Sequence, residues 1–233
     1  MALVRLDRFL SNQAGLTRSQ AREVLKQQRV CVNGVMQKNF DLKIDPDTDS
    51  VTLDGQNVSY REYIYLLMNK PAGVLTATED KTRETVLDLV PSEYRRKDLA
   101  PVGRLDKDTT GLLLLSDDGI IAHKVISPKS MIEKEYVAVL DGEIGEEDIQ
   151  TFAKGVVLAD GTRCMPATLT RVDHNTASII ITEGKYHQIK RMFGTVGLGV
   201  NALRRIRIGE LTVPEGMTEG ETILIEKPPF FNN

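Results

Sequence analysis

The chain has no tryptophan, and only 5% of its 233 residues are aromatic, so aliphatic side chains must fill its core. Cysteine is nearly absent as well. Cys31 and Cys164 stand far apart, with no Cys-x-x-Cys and no histidine pair at ligand spacing, so neither a disulfide framework nor a metal site is expected. Both thiols are expected as small apolar residues within strands, in a reducing cytoplasm. No apolar run approaches the ~20 residues of a membrane span. The opening Met-Ala-Leu-Val-Arg-Leu-Asp-Arg turns charged too early for a secretory leader. No Gly-x-Gly-x-x-Gly follows a strand-like run, and neither a P-loop nor a Gly-x-Ser-x-Gly is present. Dinucleotide or methyl-donor binding, P-loop chemistry and a hydrolase nucleophile elbow are therefore unsupported.

The chain does have strongly segregated charge. Its net charge is −3. Residues 1–43 carry eight basic and three acidic side chains, a net +5; residues 184–209 carry six basic and no acidic ones, +6. That leaves −14 for the rest. Two basic faces on an acidic body are the expected footprint of a polyanion-binding protein.

The first basic segment reads as a small helical module. Leu3, Leu6, Phe9 and Leu10 recur at helical spacing, predicting a helix over about 4–14 that Gly15-Leu16 breaks. Thr17 and Gln20 have the spacing of a capping box and open a second helix with Ala21, Val24 and Leu25 on its buried side. Arg18, Arg22 and Lys26 form a stripe along another side, with Arg29 just beyond. Like charges at this spacing destabilise an isolated helix, so the stripe reads either as a site for an anionic partner or as a solvated face. Val30–Val32 and Val35–Gln37 then flank Asn33-Gly34, the dipeptide of a tight hairpin.

Beyond a linker at 59–62, a second domain is expected over 63–231, with Phe230–Asn233 as a loosely ordered tail. Strand-like runs lie at 63–68, 112–115, 135–140, 167–172, 177–182, 203–208 and 222–226. Helix-like runs lie at 84–89, 119–126, 146–153 and 187–197. Strands predominate and β-α-β units are few, so the fold class is α+β: a two-helix-plus-hairpin module over 1–58 and a larger domain with a mixed, mostly antiparallel sheet.

The most informative stretch is Gly103-Arg104-Leu105-Asp106-Lys107-Asp108-Thr109-Thr110-Gly111, followed by the apolar run Leu112–Leu115. Charged side chains on the rim of a buried strand can hold a catalytic carboxylate rigidly within reach of a substrate. From the residues alone, a charged surface loop is an equal reading. Farther on, Ile189, Met192, Phe193 and Val196 recur at helical spacing, leaving Lys185, Lys190 and Arg191 on the remaining surface. In the strand 203–208, Arg205 and Arg207 alternate with Ile206 and Ile208, predicting one basic face and one core face. His187 reads as structural or phosphate-facing rather than catalytic.

Four motifs occur in order: Asn69-Lys70-Pro71-Ala72-Gly73, Gly103–Asp106, Glu133-Lys134-Glu135-Tyr136 and Glu183–Phe193. The first reads as a structural turn. Together they resemble the Rsu/Rlu superfamily of pseudouridine synthases, while residues 3–58 resemble the S4 RNA-binding module found in the Rsu class. The wording Tyr-His-Gln-Ile-Lys-Arg-Met-Phe is most similar to the members acting on small-subunit (16S) ribosomal RNA, whose target is uridine 516. Some large-subunit paralogues share much of it.

The resemblance implies a cofactor-independent, cytoplasmic, monomeric enzyme acting on ribosomal RNA, with Asp106 catalytic, Lys190 its basic partner and Tyr136 stacked on the flipped uracil. It implies RNA contacts at Arg5, Arg8, Arg18, Ser19, Arg22, Arg29, Asn33 and Lys38 in the first domain, to which the basic stripe of the second helix adds Lys26. In the second, Arg104, Lys185, Arg191, Arg205 and Arg207 are the candidates. The competing class is a non-enzymatic S4-type assembly factor, which has no need of Asp106, Tyr136 and Lys190 together. A glycosidase would want a second carboxylate, for which Asp108 is the available residue.

Overall fold

The computed structural model describes residues 3–228, and the predicted tail at Phe230–Asn233 lies outside them. The chain divides into two units. One takes the residues up to Ile64 together with Val90–Leu99; the other takes Tyr65–Leu89 and everything from Ala100 on. Val90–Leu99, which the sequence reading placed in the larger domain, thus groups with the N-terminal unit. Within that unit Arg96 donates to the Gln13 side chain at 2.8 Å.

The N-terminal unit begins with β1 (Val4–Arg5), which takes the first residues of the expected helix and pairs with β4 (Lys43–Ile44). Leu3 is consequently exposed rather than part of an apolar helix face. Helix α1 (Leu6–Gln13) follows, then α2 (Arg18–Lys26), whose Thr17–Gln20 capping box is fully formed. Strands β2 (Val30–Val32) and β3 (Val35–Met36) close around Asn33 and Gly34, both at positive φ, as a two-residue hairpin requires. Strands β5 (Val51–Leu53) and β6 (Gln56–Asn57) complete the order β3-β2-β5-β6. Leu6, Phe9, Leu10, Ala21, Leu25 and Val30 form the core. Asp7 is buried beneath it; burial pushes its carboxyl up, but hydrogen bonds from Arg5 and Arg22 outweigh that and hold it below the usual range.

The second unit is built on a sheet of nine strands among the described residues. Its members are β7 (Tyr65–Lys70), β8 (Ala100–Pro101), β9 (Thr110–Ser116), β10 (Lys134–Leu140), β11 (Thr168–Arg171), β12 (Thr176–Ile181), β13 (Val200–Ile208), β14 (Leu211–Thr212) and β15 (Thr222–Ile225). The order is β11-β12-β10-β13-β9-β7-β15, with β8 beside β9 and β14 beside β13. Only the β13–β9 pair is parallel, so the sheet is mixed and mostly antiparallel. Helix α3 (Gly119–Ile126), capped by Asp118, lays Ile121 and Val125 over Leu67, Leu112 and Leu114. Helices α4 (Glu146–Lys154) and α5 (Gln188–Thr195) meet through Phe152 and Phe193, ring centroids 5.1 Å apart.

Three local expectations are corrected. Residues 84–89 are not helical: Thr85 bridges to Leu75 and its N–H is captured by the Asp88 carboxylate, while Pro91 disfavours helix at Val90. Cys164 is buried but lies outside any strand, whereas Cys31 sits within β2. The alternation expected at 203–208 is broken by a bulge: Tyr136 pairs with Arg205 and Glu135 with Arg207, leaving Ile206 unmatched.

Strand registers align Lys70, Gly111, Arg205 and Tyr136 in one row across β7, β9, β13 and β10. Gly111 is the row's necessary gap. Its φ is +96°, and a Cβ there would lie 2.2 Å from the Arg205 carbonyl oxygen. Gly111→Ala is expected to cost about 3 kcal/mol of stability, from backbone strain and overpacking. Urea denaturation reads this directly, and an unchanged midpoint would contradict the close approach of β13.

Candidate active site

The loop Gly103–Thr109 leaves β8 and enters β9, and the neighbouring Asn69–Gly73 segment anchors it. Lys70 is completely buried, and its ammonium donates to three carbonyls: Pro71 at 2.9 Å, Lys107 at 3.2 Å and Thr109 at 3.0 Å. The Gly73 N–H donates to the Lys107 carbonyl at 2.8 Å. The Thr76 hydroxyl donates to the Leu105 carbonyl at 2.8 Å and accepts the Leu105 N–H at 3.2 Å. The motif that reads as a structural turn in sequence is therefore the clamp on the loop that carries Asp106.

Asp106 keeps about a quarter of its side chain exposed, between two residues from the start of α5. His187 Nε2 is 3.4 Å from one carboxylate oxygen, and Lys190 Nζ is 3.8 Å from the other. Lys190 makes its shorter contacts to Asp108, at 2.6 and 2.7 Å. The expected Lys190–Asp106 pairing is thus a shared one. The hydrogen bond from Lys190 holds the Asp108 carboxyl below its usual range, against a smaller opposing effect of burial.

Tyr136 stands at the row's other end. Arg205 is 2% exposed; its Nε donates to the Leu112 carbonyl at 2.7 Å and its Nη1 to the Tyr136 hydroxyl at 3.3 Å. Its carbon centre lies 5.8 Å from the Tyr136 ring centroid. The expectation of Arg205 as a surface RNA contact is corrected, because the bulge turns it inward beneath Tyr136. Lys134 is buried nearby, and burial, with Arg205 adding to it, pushes its amine down to about 8. Sequence reasoning missed the parts played by Lys70, His187 and Arg205. The available signals were a lysine closing an otherwise apolar strand and an arginine inside a core strand.

The second basic segment is largely compensated. Lys185 pairs with Glu183, Arg191 with Asp160, Arg204 with Glu219, and Arg207 with Glu133 and Glu135. Arg104 is exposed and, among the described residues, has no carboxylate partner. In the N-terminal unit Arg8, Arg18, Ser19, Lys26 and Lys38 are exposed with no side-chain partner among the described residues. Four other candidates are engaged within that unit. Arg5 pairs with Asp7 and Asp41, Arg22 with Asp7, and Arg29 with Asp54. Asn33 uses both ends of its amide on Asp49 and Ser50.

Burial pushes the Lys70 amine down to about 8, partly offset by Asp108, Asp106 and Glu219. The unfolded chain keeps this proton to about 10.5. Between those values unfolding takes up a proton, so Lys70's contribution to stability rises with pH across the window, and its charge-burial penalty is fully present below it. Measured by urea at about pH 7 and about pH 9.5, the parent should gain more stability than Lys70→Met. Parallel pH dependences would rule this out.

Comparisons with known proteins bear on this geometry. Residues 64–195, which contain Lys70, Asp106, Tyr136 and Lys190, match the RNA pseudouridylate synthase family, and residues 4–47 match the S4 domain. An uncharacterized RNA pseudouridine synthase of Bacillus subtilis is 41% identical over 94% of this chain and 93% of its own. The ribosomal small subunit pseudouridine synthase A of Pasteurella multocida is 40% identical over 94% of both chains. A crystal structure of a pseudouridylate synthase superposes with a TM-score of 0.65 at 34% identity, covering 96% of each chain. A clamped carboxylate loop over a mixed sheet, matched at this identity along nearly the whole chain, places the protein in the RNA pseudouridylate synthase family as an S4-containing RNA pseudouridine synthase.

Proposed function

We propose that the enzyme isomerises a uridine of small-subunit ribosomal RNA, with Asp106 as the catalytic carboxylate; by family resemblance the target is uridine 516. The observation that carries the assignment is the placement of Asp106 on a clamped loop with the side chains of Lys190 and His187 within 4 Å. The similarity to small-subunit synthases supports the choice of RNA.

The reaction cleaves the C1′–N1 bond, turns the uracil and joins C5 to C1′. All atoms of base and sugar are retained, so neither redox cofactor nor energy source is called for. A stacked uridine cannot turn in place and has to be flipped out, at a cost of a few kcal/mol. Phosphate contacts to the free cations on α2 offset that cost. Tyr136, with Arg205 fixing its hydroxyl, is the group for stacking on the uracil and moving the proton at C5. Lys190 and His187 hold Asp106 in place. The enzyme acts as a monomer in the cytoplasm.

Site-resolved pseudouridine mapping after incubation with small-subunit and large-subunit transcripts tests the target. Modification confined to large-subunit RNA would overturn it. Asp106→Asn should abolish turnover while RNA affinity stays within a few-fold, because it removes transition-state stabilisation and no phosphate contact. Asp117→Asn should remain active in the same assay. Neutralising Arg18 and Lys26 should reduce the slope of log K against log salt by roughly one unit per lost phosphate contact. An unaltered slope would make the stripe a solvated face.

A further inference from the structure

Tyr186 is 75% exposed, yet it is not a loose tip. Its ring stacks on His187 with centroids 3.9 Å apart and planes within 16°. His187 is held at φ +46°, ψ 35°, a left-handed conformation uncommon for a residue with a side chain and concentrated at functional sites. The turn beneath is fixed by buried polar groups. The Lys185 N–H donates to the Gln188 side chain at 2.8 Å, and the Gln188 amide donates to Glu183 at 2.8 Å. Arg191 Nη1 donates to the Tyr186 carbonyl at 3.3 Å. One face of the Tyr186 ring is thus covered by His187 and the other is presented to solvent.

The position of this pair is informative, since His187 Nε2 also lies 3.4 Å from Asp106. A continuous path runs from the carboxylate through an imidazole to an open phenol face. Arg104, two residues before Asp106 in the same loop, supplies a cation with no carboxylate partner among the described residues. Flipping one nucleotide leaves its neighbours without a stacking partner, and exposed aromatic faces in RNA-binding proteins take up such bases. We propose that Tyr186, backed by His187, is the stacking platform for the nucleobase adjacent to the flipped uridine. This extends the assignment of Asp106 as the reaction centre and is independent of which ribosomal RNA is the substrate.

Because the chain has no tryptophan, Tyr186→Trp gives a single indole reporter at the platform. A transcript spanning the mapped uridine should quench that indole, and an abasic residue at one flanking position should abolish the quenching. Tyr186→Ala should raise KM roughly tenfold with kcat little changed, and Tyr186→Phe should restore the parental KM. The decisive measurement pairs protein and RNA changes. The abasic neighbour should cost the parent roughly tenfold in kcat/KM and cost Tyr186→Ala nothing further. An unquenched indole in a complex that still turns over would overturn the platform. So would equal abasic penalties in the parent and Tyr186→Ala at both flanking positions. Modification of large-subunit RNA alone would remove the small-subunit assignment and leave this test to be made on that RNA.

Discussion

The site depends on a close approach of backbones. At Gly111 the carbonyl of Arg205 occupies the space where any other residue would carry its Cβ. That contact is the join between β13 and β9, the one parallel pair among the described strands of a sheet that is otherwise antiparallel. It brings Tyr136 and Arg205 into the same row as Lys70, so the two sides of the candidate site are set by one register. A one-residue slip would move the row's side chains to the opposite face.

Lys70 converts that register into loop geometry. A buried ammonium is costly unless its donors are used, and here three carbonyls use them. Two of those carbonyls, at Lys107 and Thr109, bracket Asp108 just after Asp106. The loop is therefore held by its backbone, leaving its carboxylates free to face α5. Asp106 and Asp108 share Lys190, and the closer partner is Asp108. The cation near Asp106 is thereby kept in place by a second carboxylate.

The two basic segments have different fates for an electrostatic reason. Cations at 184–209 lie against carboxylates in their own unit, so a local excess in sequence becomes a set of ion pairs in space. On α2, the buried face takes Ala21, Val24 and Leu25, and Arg18 and Lys26 project where, among the described residues, no acidic partner reaches them. The N-terminal stripe, rather than the second segment, retains the charge needed to meet phosphates.

Much of this was legible locally. Apolar spacing and the Thr17–Gln20 box gave α1 and α2, Asn33-Gly34 gave the hairpin, and the apolar run after Gly111 gave the central strand. These features depend on neighbours within a few residues, where side-chain periodicity and turn chemistry act directly. The string around Asp106 marked the loop by resemblance. The sequence alone could not show that Lys70 sits under Asp106's loop, that a bulge at Ile206 buries Arg205 against Tyr136, or that Asp108 takes the nearer share of Lys190. Each joins residues that meet only after the strands have paired. Register, a property of two or more segments at once, decides which charges are buried and which meet. The sequence by itself pointed to most of the elements and to the candidate carboxylate; the tertiary structure decided the long-range partners, such as Asp108 for Lys190 and Glu135 for Arg207, because those residues lie far apart in the chain and meet only when strands and helices pack.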